Sequence, residues 1–218
     1  MIPIRDNIRL SCFPVVNSLL ITVNLLVFGH MILLPSEDAF IQFFINWGFV
    51  PNQFHTSTLI SSQFLHGGIP HLFGNMLFLW IFGSSVENRV GHLKYLVFYL
   101  GTGVAAGLTH YVFNSDSPLP TVGASGAVSG VMGAYLLFFP HARIVTIIPI
   151  FFYPLITEFS AFFFLCQWFL IQLLFGMMSF GMQDGGGIAV LAHIGGFVSG
   201  LVICAVFREQ LKGRMSTS

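Results

Sequence analysis

The stretch TVGASGAVSGVMGAY, residues 121–135, consists almost entirely of small side chains in a chain that is otherwise rich in Phe and Leu. Gly126, Gly130 and Ala134 recur in it at four-residue spacing. In a helix this spacing places all three on one face, where small residues let a neighbouring helix approach closely. The stretch therefore predicts a tightly packed helix, and this helix carries two serines, Ser125 and Ser129.

The composition around this stretch is that of a membrane protein. Charged residues make up 7% of the chain, hydrophobic residues make up 55%, and there are 26 Phe residues. Ordinary soluble domains carry about 25% charged residues. The composition therefore predicts an integral membrane protein in contact with a lipid bilayer. The formal net charge is zero, so nothing in the charge balance favours a nucleic-acid partner.

The apolar pattern predicts six membrane-spanning helices, since a helix needs roughly 20 apolar residues to cross a bilayer. The predicted spans are about 13–34, 69–86, 93–113, 121–139, 157–178 and 187–207. Residues 144–156 are also apolar, but Pro149 and Pro154 interrupt them, which favours an interfacial connector. We therefore expect an all-α, polytopic bundle forming one membrane domain over residues 1–218, with an N-terminal segment of about 1–12 and a tail of about 208–218.

The charges support this count of spans and indicate an orientation. With six spans, all Lys and Arg residues fall on one side of the membrane: Arg5, Arg9, Arg89, Lys94, Arg143, Arg208, Lys212 and Arg214. The charged residues on the opposite side are all acidic, namely Glu37, Asp38, Asp116 and Asp184. Basic residues are enriched on the cytoplasmic side of membrane proteins. We therefore expect both termini to be cytoplasmic.

Four polar residues within the spans are predicted to lie at similar depth on three helices. His71 and Asn75 share a face of the second span, Ser125 lies about one turn below the outer end of the fourth, and His193 lies in the sixth. Small residues on the fourth and sixth spans allow close packing; they are Gly126 and Gly130 on the fourth, and Ala192, Gly196 and Gly200 on the sixth. This placement suggests a buried Ser/His pair in which His193 accepts the proton of the Ser125 hydroxyl. His71 and Asn75 are then candidate donors to an oxyanion.

Each of these residues also has a purely structural interpretation. A serine within a membrane helix is most often a packing residue bonded to its own backbone, and an Asn or His can simply tie helices together. A metal or haem site would have to use His66, His71, His110 and His193, but no His-Glu-x-x-His motif or Cys/His cluster supports one. A transporter would be expected to show an internal repeat, and the sequence has no obvious one. We expect no metal and no cofactor, and interpret the three cysteines as packing residues.

The motifs, taken in order, resemble those of the rhomboid intramembrane serine proteases. The resemblance extends from WGFVP in the first outer loop to the end of the sixth span. The matching blocks are FLHGGIPHLFGNMLFLW (64–80), ENRVG (87–91), GASG (123–126), QWFLIQLL (167–174) and AHIGGFVSG (192–200). GASG alone would be weak, but these blocks in this order on six spans are highly specific.

This resemblance implies an endopeptidase that cleaves the transmembrane segments of membrane proteins near the outer face of the bilayer. It implies Ser125 as nucleophile, His193 as general base, His71 and Asn75 at the oxyanion site, and structural roles for Glu87 and Arg89. Ser129 matches no catalytic position.

Several expectations about the setting accompany this reading. The alternative function is a non-catalytic rhomboid-like chaperone or quality-control factor with the same fold. We expect the Gly-rich outer connection around Asp184–Gly187 to act as a lid. Because no transit peptide is apparent, we expect a bacterial inner membrane. The natural substrate and the oligomeric state do not follow from the sequence.

Overall fold

The protein is mostly helical. The structure, a computed structural model, describes residues 1–150, 153–179 and 188–207, with side chains at all of these except 175–179 and 188–189. Its helices are α1 (Val15–Ile32), α2 (Glu37–Trp47), α3 (Thr58–Ser61), α4 (Ile69–Phe78), α5 (Ser84–Val90), α6 (His92–Asn114), α7 (Ser125–Phe138), α8 (Ala161–Ser179) and α9 (Ile188–Val206). Its strands are β1 (Ile2–Asp6), β2 (Arg143–Ile150) and β3 (Tyr153–Ser160). The expected tail at 208–218 lies outside the described residues.

Among the described residues, three helical segments are long and apolar enough to cross a membrane. They are α1, the continuous segment Ile69–Val90 that contains α4 and α5, and α6. Shorter apolar helical stretches follow at Ser125–Phe138, Ala161–Leu174 and Val190–Val206. Four of these six segments fall within the stretches predicted from the sequence, whereas Ile69–Val90 and His92–Asn114 overlap theirs and extend beyond them by one to four residues. The count of six spans and the side of the termini stay predictions.

The chain also forms a small β-sheet, so the all-α prediction is wrong. The strands pair antiparallel in the order β1-β2-β3, with Ile2 opposite Ile147 and Arg143 opposite Ser160. The segment expected to be an interfacial connector instead forms the paired strands β2 and β3, in which Pro149 lies opposite Pro154. The β-branched run IVTII (144–148) has high strand propensity. The remaining strand, β1, comes from the N-terminal end of the chain. A local sequence pattern does not reveal that β1 is the partner of β2.

A π-helical turn, Leu79–Gly83, joins α4 to α5 within one continuous segment. Such a turn leaves carbonyl groups that need other donors, and the Asn17 side chain of α1 supplies one to Leu79 O at 2.9 Å. Asn17 is fully buried and also accepts a 2.7 Å bond from the Tyr95 hydroxyl of α6. One buried amide therefore links α1, the π-helical turn and α6.

Glu87 joins the same group of helices by capping α1. Its carboxylate accepts bonds from the backbone N–H groups of Val16, at 2.9 Å, and Asn17, at 2.6 Å. These donors belong to the first turn of α1 and have no acceptor within the helix. The Glu87 carboxylate is also bonded to His92 Nδ1. Arg89, two residues further on, lies with its guanidinium 5.8 Å from the centre of the Phe138 ring.

Substituting Glu87 by Ala should therefore destabilise the protein markedly. The change leaves one buried and one partly buried backbone donor, those of Asn17 and Val16, without a charged acceptor, which should cost about 2–4 kcal/mol of unfolding free energy. Thermal unfolding in detergent measures the effect. Glu158→Ala is the matched control, because its 3.6 Å pair with Arg143 is half exposed and should contribute less than about 1 kcal/mol. Equal losses in the two variants would contradict the capping role.

Candidate active site

Ser125 is the first residue of α7, rather than a residue one turn inside the helix. The chain ahead of it is held outside the helix by backbone bonds. Gly123 adopts a φ of +126°, which favours glycine, and donates its N–H to Ser62 O at 2.9 Å. Thr121 pairs as an isolated β-bridge with Phe49. The helix therefore begins four residues later than predicted, and the nucleophile candidate lies at its N-terminus, where backbone N–H groups are unpaired by the helix itself.

Helices α7 and α9 approach so closely that their backbones touch through glycine. A side chain at Gly196 would collide with the backbone oxygen of Gly126, and one at Gly200 would collide with that of Gly130. On another side of α7, a Cβ added at Gly126 would lie 2.6 Å from the Ala106 Cβ of α6. The glycine stripes named from the sequence thus lie at a three-helix contact.

This contact brings Ser125 and His193 together. Ser125 Oγ lies 2.8 Å from His193 Nε2, and both side chains are half-buried. The other ring nitrogen, His193 Nδ1, lies 3.0 Å from Gln172 Oε1 of α8. The Trp168 ring, one turn earlier on α8, has its centre 6.2 Å from that of the imidazole. A hydroxyl, an imidazole and an amide oxygen therefore form one chain of hydrogen bonds.

Gln172 was not among the predicted site residues. It lies in the matching block QWFLIQLL, whose resemblance implies no role for this side chain. The available signal was the spacing, since Trp168 and Gln172 are four residues apart and so share one face of α8. Only the packing of α8 against α9 shows that this face meets His193.

His71 and Asn75 share a cavity with the Ser/His pair. The cavity has a volume of about 410 Å³ and is lined by residues of α4, α7, α8 and α9, including all four predicted site residues. The Asn75 amide nitrogen is buried and has no hydrogen-bond partner among the described residues. The His71 ring lies beside Gly123, where an added Cβ would be 2.7 Å from Cε1. Asn75 thus offers an unpaired donor on the cavity that Ser125 and His193 also line.

The Ser129 hydroxyl is hydrogen-bonded within its own helix. Its hydroxyl donates a 2.6 Å bond to the carbonyl oxygen of Ser125, one turn earlier. This is the usual bond of a serine within a membrane helix. The packing role expected for Ser129 fits this geometry.

His66 and His110, the other two histidines considered as possible metal ligands, do not line the cavity. His66 is fully buried beside His71, with the two ring centres 5.1 Å apart. Burial, together with the nearby His71, lowers the pKa of His66 to about 4, so its ring is neutral near pH 7. His110 Nδ1 lies 3.3 Å from the Asn114 amide nitrogen, one turn further along the same helix. Among the described residues, no three His, Cys, Asp or Glu side chains are grouped as metal ligands.

The predicted lid cannot be placed against this cavity. Asp184–Gly187 lies outside the described residues. Its proposed role stays a prediction from the sequence.

The order of motifs and the site geometry agree with a comparison to known families. The model of the rhomboid domain matches residues 53–210, which is well over half of the chain. The chain belongs to the rhomboid family. This rhomboid family includes serine proteases, and its members are embedded in membranes.

Individual relatives of this rhomboid chain match shorter stretches. The rhomboid protease GluP of Bacillus subtilis is 42% identical over 78 residues, which are 36% of this chain and 15% of GluP. Rhomboid protein 1, mitochondrial, of Saccharomyces cerevisiae is 33% identical over 132 residues, which are 58% of this chain and 37% of the yeast protein. The human presenilin-associated rhomboid-like protein, mitochondrial, is 34% identical over 98 residues, which are 44% of this chain and 26% of the human protein. The chain thus spans less than half the length of these relatives.

These relatives correct the expected location. The yeast protein and the presenilin-associated rhomboid-like proteins of fish and mammals are mitochondrial by name. The expectation of a bacterial inner membrane is therefore wrong. It rested on the absence of a transit peptide, and the absence of a recognisable leader is not evidence for a compartment.

The glycine contact between α7 and α9 generates a testable prediction. Gly196→Ala should push α9 away from α7 and lengthen the Ser125–His193 distance, reducing reactivity at Ser125 by about 10–100-fold and stability by about 1–3 kcal/mol. Labelling by a fluorophosphonate probe and thermal unfolding measure the two effects.

Gly101→Ala of α6 is the matched control. Apart from the two residues next to it in sequence and the backbone of its own helix, no described atom lies within 4 Å of a Cβ added at this position. Since Ala favours helix over Gly by about 1 kcal/mol, this variant should be as stable as the parent or more so, with unchanged labelling. Full labelling of Gly196→Ala would contradict the role of the close contact.

Proposed function

We propose that this protein is an intramembrane serine endopeptidase that cleaves the transmembrane segments of other membrane proteins. The observation that carries the proposal is the 2.8 Å contact between Ser125 Oγ and His193 Nε2, at the N-terminus of α7 and on the wall of the 410 Å³ cavity. A serine hydroxyl bonded to an imidazole that is itself oriented by a third group is the arrangement of an activated nucleophile.

In this proposal, Ser125 and His193 share the proton transfers. His193 Nε2 takes the hydroxyl proton as Ser125 Oγ attacks the carbonyl carbon of the scissile peptide. The imidazolium then gives that proton to the leaving amine, and an acyl ester on Ser125 results. Water attacks the ester with His193 again as base, which restores the free serine.

The negative oxygen of the tetrahedral intermediate needs donors that are already in place. The N-terminus of α7 offers backbone N–H groups and the positive end of the helix dipole beside Ser125. The Asn75 amide nitrogen, buried and unpaired among the described residues, is a further donor on the same cavity. His71, also on the cavity wall, is the third candidate. Preorganised donors of this kind stabilise the transition state.

Water has to reach a site within the membrane, and a second, smaller cavity favours its supply. This cavity of about 40 Å³ lies on the other side of Ser125, between α7, α6 and the turn that ends α3. It is large enough for one or two water molecules. Two buried oxygen atoms on its wall, Gln63 Oε1 and Thr121 Oγ1, have no partner among the described residues. Such polar atoms suit a water bound next to the nucleophile.

The setting of the site supports this substrate class. The large cavity is bordered by membrane helices α4 and α8, so an incoming chain arrives from the lipid. A peptide in helical form has its carbonyls bonded and shielded, and it must unwind before Ser125 can attack. We therefore infer substrates whose membrane helices are weakened by Gly, Pro or polar residues near the cut.

We further propose a membrane of mitochondria as the location, based on the names of the relatives. Residues 1–218 would form one domain with six spans and both termini on the side that carries the Lys and Arg residues. Fractionation of cells that express the tagged protein tests the location. Recovery with another membrane would contradict it.

Labelling with a fluorophosphonate probe separates the protease from a non-catalytic chaperone of the same fold. In folded protein, the probe should attach to Ser125, as located by mass spectrometry of the digest. Ser125→Ala and His193→Ala should abolish labelling. Ser129→Ala should retain it, since the Ser129 hydroxyl is bonded to its own helix. A folded protein that is not labelled, or is labelled at Ser129, would overturn the proposal.

A second test compares two buried asparagines. Asn75→Ala should lower the rate constant of phosphonylation by about 10²–10³, the effect of losing one oxyanion donor. It should leave stability nearly unchanged, because the Asn75 amide nitrogen has no partner among the described residues. Asn17→Ala should lower stability and leave the rate constant of phosphonylation nearly unchanged, since Asn17 is bonded to Leu79, Ser84 and Tyr95. An Asn75→Ala variant that is unstable but reacts normally would show a structural role instead.

A further inference from the structure

The two nitrogen atoms of the His193 ring face partners of different chemistry. Nε2 lies 2.8 Å from the Ser125 hydroxyl, and Nδ1 lies 3.0 Å from Gln172 Oε1. A neutral imidazole has one nitrogen that donates and one that accepts. Because an amide oxygen only accepts, the proton of the ring belongs on Nδ1. The lone pair on Nε2 then points at the Ser125 hydroxyl, as a general base requires.

We infer that Gln172 is a positioning residue that holds His193 in the tautomer and orientation needed to activate Ser125. This inference rests on the proposed protease function and deepens it. In Ser/His sites with a third member, a carboxylate usually holds this ring nitrogen. A neutral amide orients the ring in the same way without placing a charge inside the membrane, where an ionised side chain is costly.

Helix α8 holds the ring in a second way. Trp168 and Gln172 lie one turn apart on its face toward α9, and both line the large cavity. The Trp168 and His193 rings are tilted by 37° with their centres 6.2 Å apart. Trp168 therefore limits the swing of the imidazole, while the Gln172 oxygen fixes which edge faces Ser125. The site depends on α8 although neither predicted catalytic residue belongs to that helix.

Two nearly isosteric substitutions separate the hydrogen bond from packing. Gln172→Met keeps the length of the side chain but removes the amide oxygen, and Gln172→Glu keeps an accepting oxygen. The full-length protein in lipid bicelles is treated with a fluorophosphonate probe, and the maximal rate of labelling at Ser125 is measured separately from the probe concentration that gives half of it. We expect Gln172→Met to lower the maximal rate by about 5–100-fold, the effect of leaving one buried donor unpaired. The half-saturating concentration should stay within about twofold, since uniform binding of the probe is untouched.

Rescue by the conservative change is the decisive readout. Gln172→Glu should retain most of the rate, whereas a side chain needed only for packing would be replaced equally well by Met. Gln172→Leu is measured in parallel, so the result does not depend on the folding of one variant. The matched control is Gln167→Met on the same helix, because Gln167 Oε1 is buried without a partner among the described residues. This control should react like the parent.

The outcomes distinguish this inference from the proposed function. A folded parent protein that is not labelled overturns both. A labelled parent with full rates in Gln172→Met and Gln172→Leu overturns the inference alone. The same holds if Gln172→Glu, folded by its thermal unfolding, loses as much rate as Gln172→Met.

Discussion

The site depends on the direct contact between the backbones of α7 and α9. Glycines on α9 lie against backbone oxygen atoms of α7, so no side chain separates the two helices. Within a bilayer, where burial of apolar surface gives little drive for association, such close packing is a main source of helix–helix affinity. The same contact sets the distance between a hydroxyl on one helix and an imidazole on the other. The stability of the bundle and the geometry of the Ser125–His193 pair therefore share one requirement.

Buried polar side chains hold the remaining helices around this pair. Glu87 caps α1, Asn17 joins α1 to the π-helical turn, and Asp6 of β1 accepts hydrogen bonds from Ser85 of α5 and Tyr135 of α7. Each of these contacts joins residues that are distant in the chain. Where these bonds are buried, as those of Asn17 are, they gain strength from the exclusion of competing water. They fix α5 and α7 at the end of the bundle away from the reacting pair.

Several polar atoms near the Ser125–His193 pair are not satisfied by the described protein. Asn75 Nδ2 is buried and unpaired on the large cavity, and Gln63 Oε1 and Thr121 Oγ1 are unpaired on the small one. A buried donor or acceptor without a partner costs free energy in the resting protein. In the proposed mechanism, the oxyanion and water supply these missing partners.

The sequence by itself determined the membrane setting, the positions of the main helices, the glycine stripes and the candidate residues Ser125, His193, His71 and Asn75. These follow from composition, periodicity and motif order, which are local properties of the chain. Tertiary structure alone decided the start of α7 at Ser125, since the bonds of Gly123 and Thr121 reach back to Ser62 and Phe49. It also decided the β1-β2-β3 sheet and the bond between Gln172 and His193. The physical reason is common to all three: each is a contact between segments far apart in sequence, whose partners no local pattern of residues specifies.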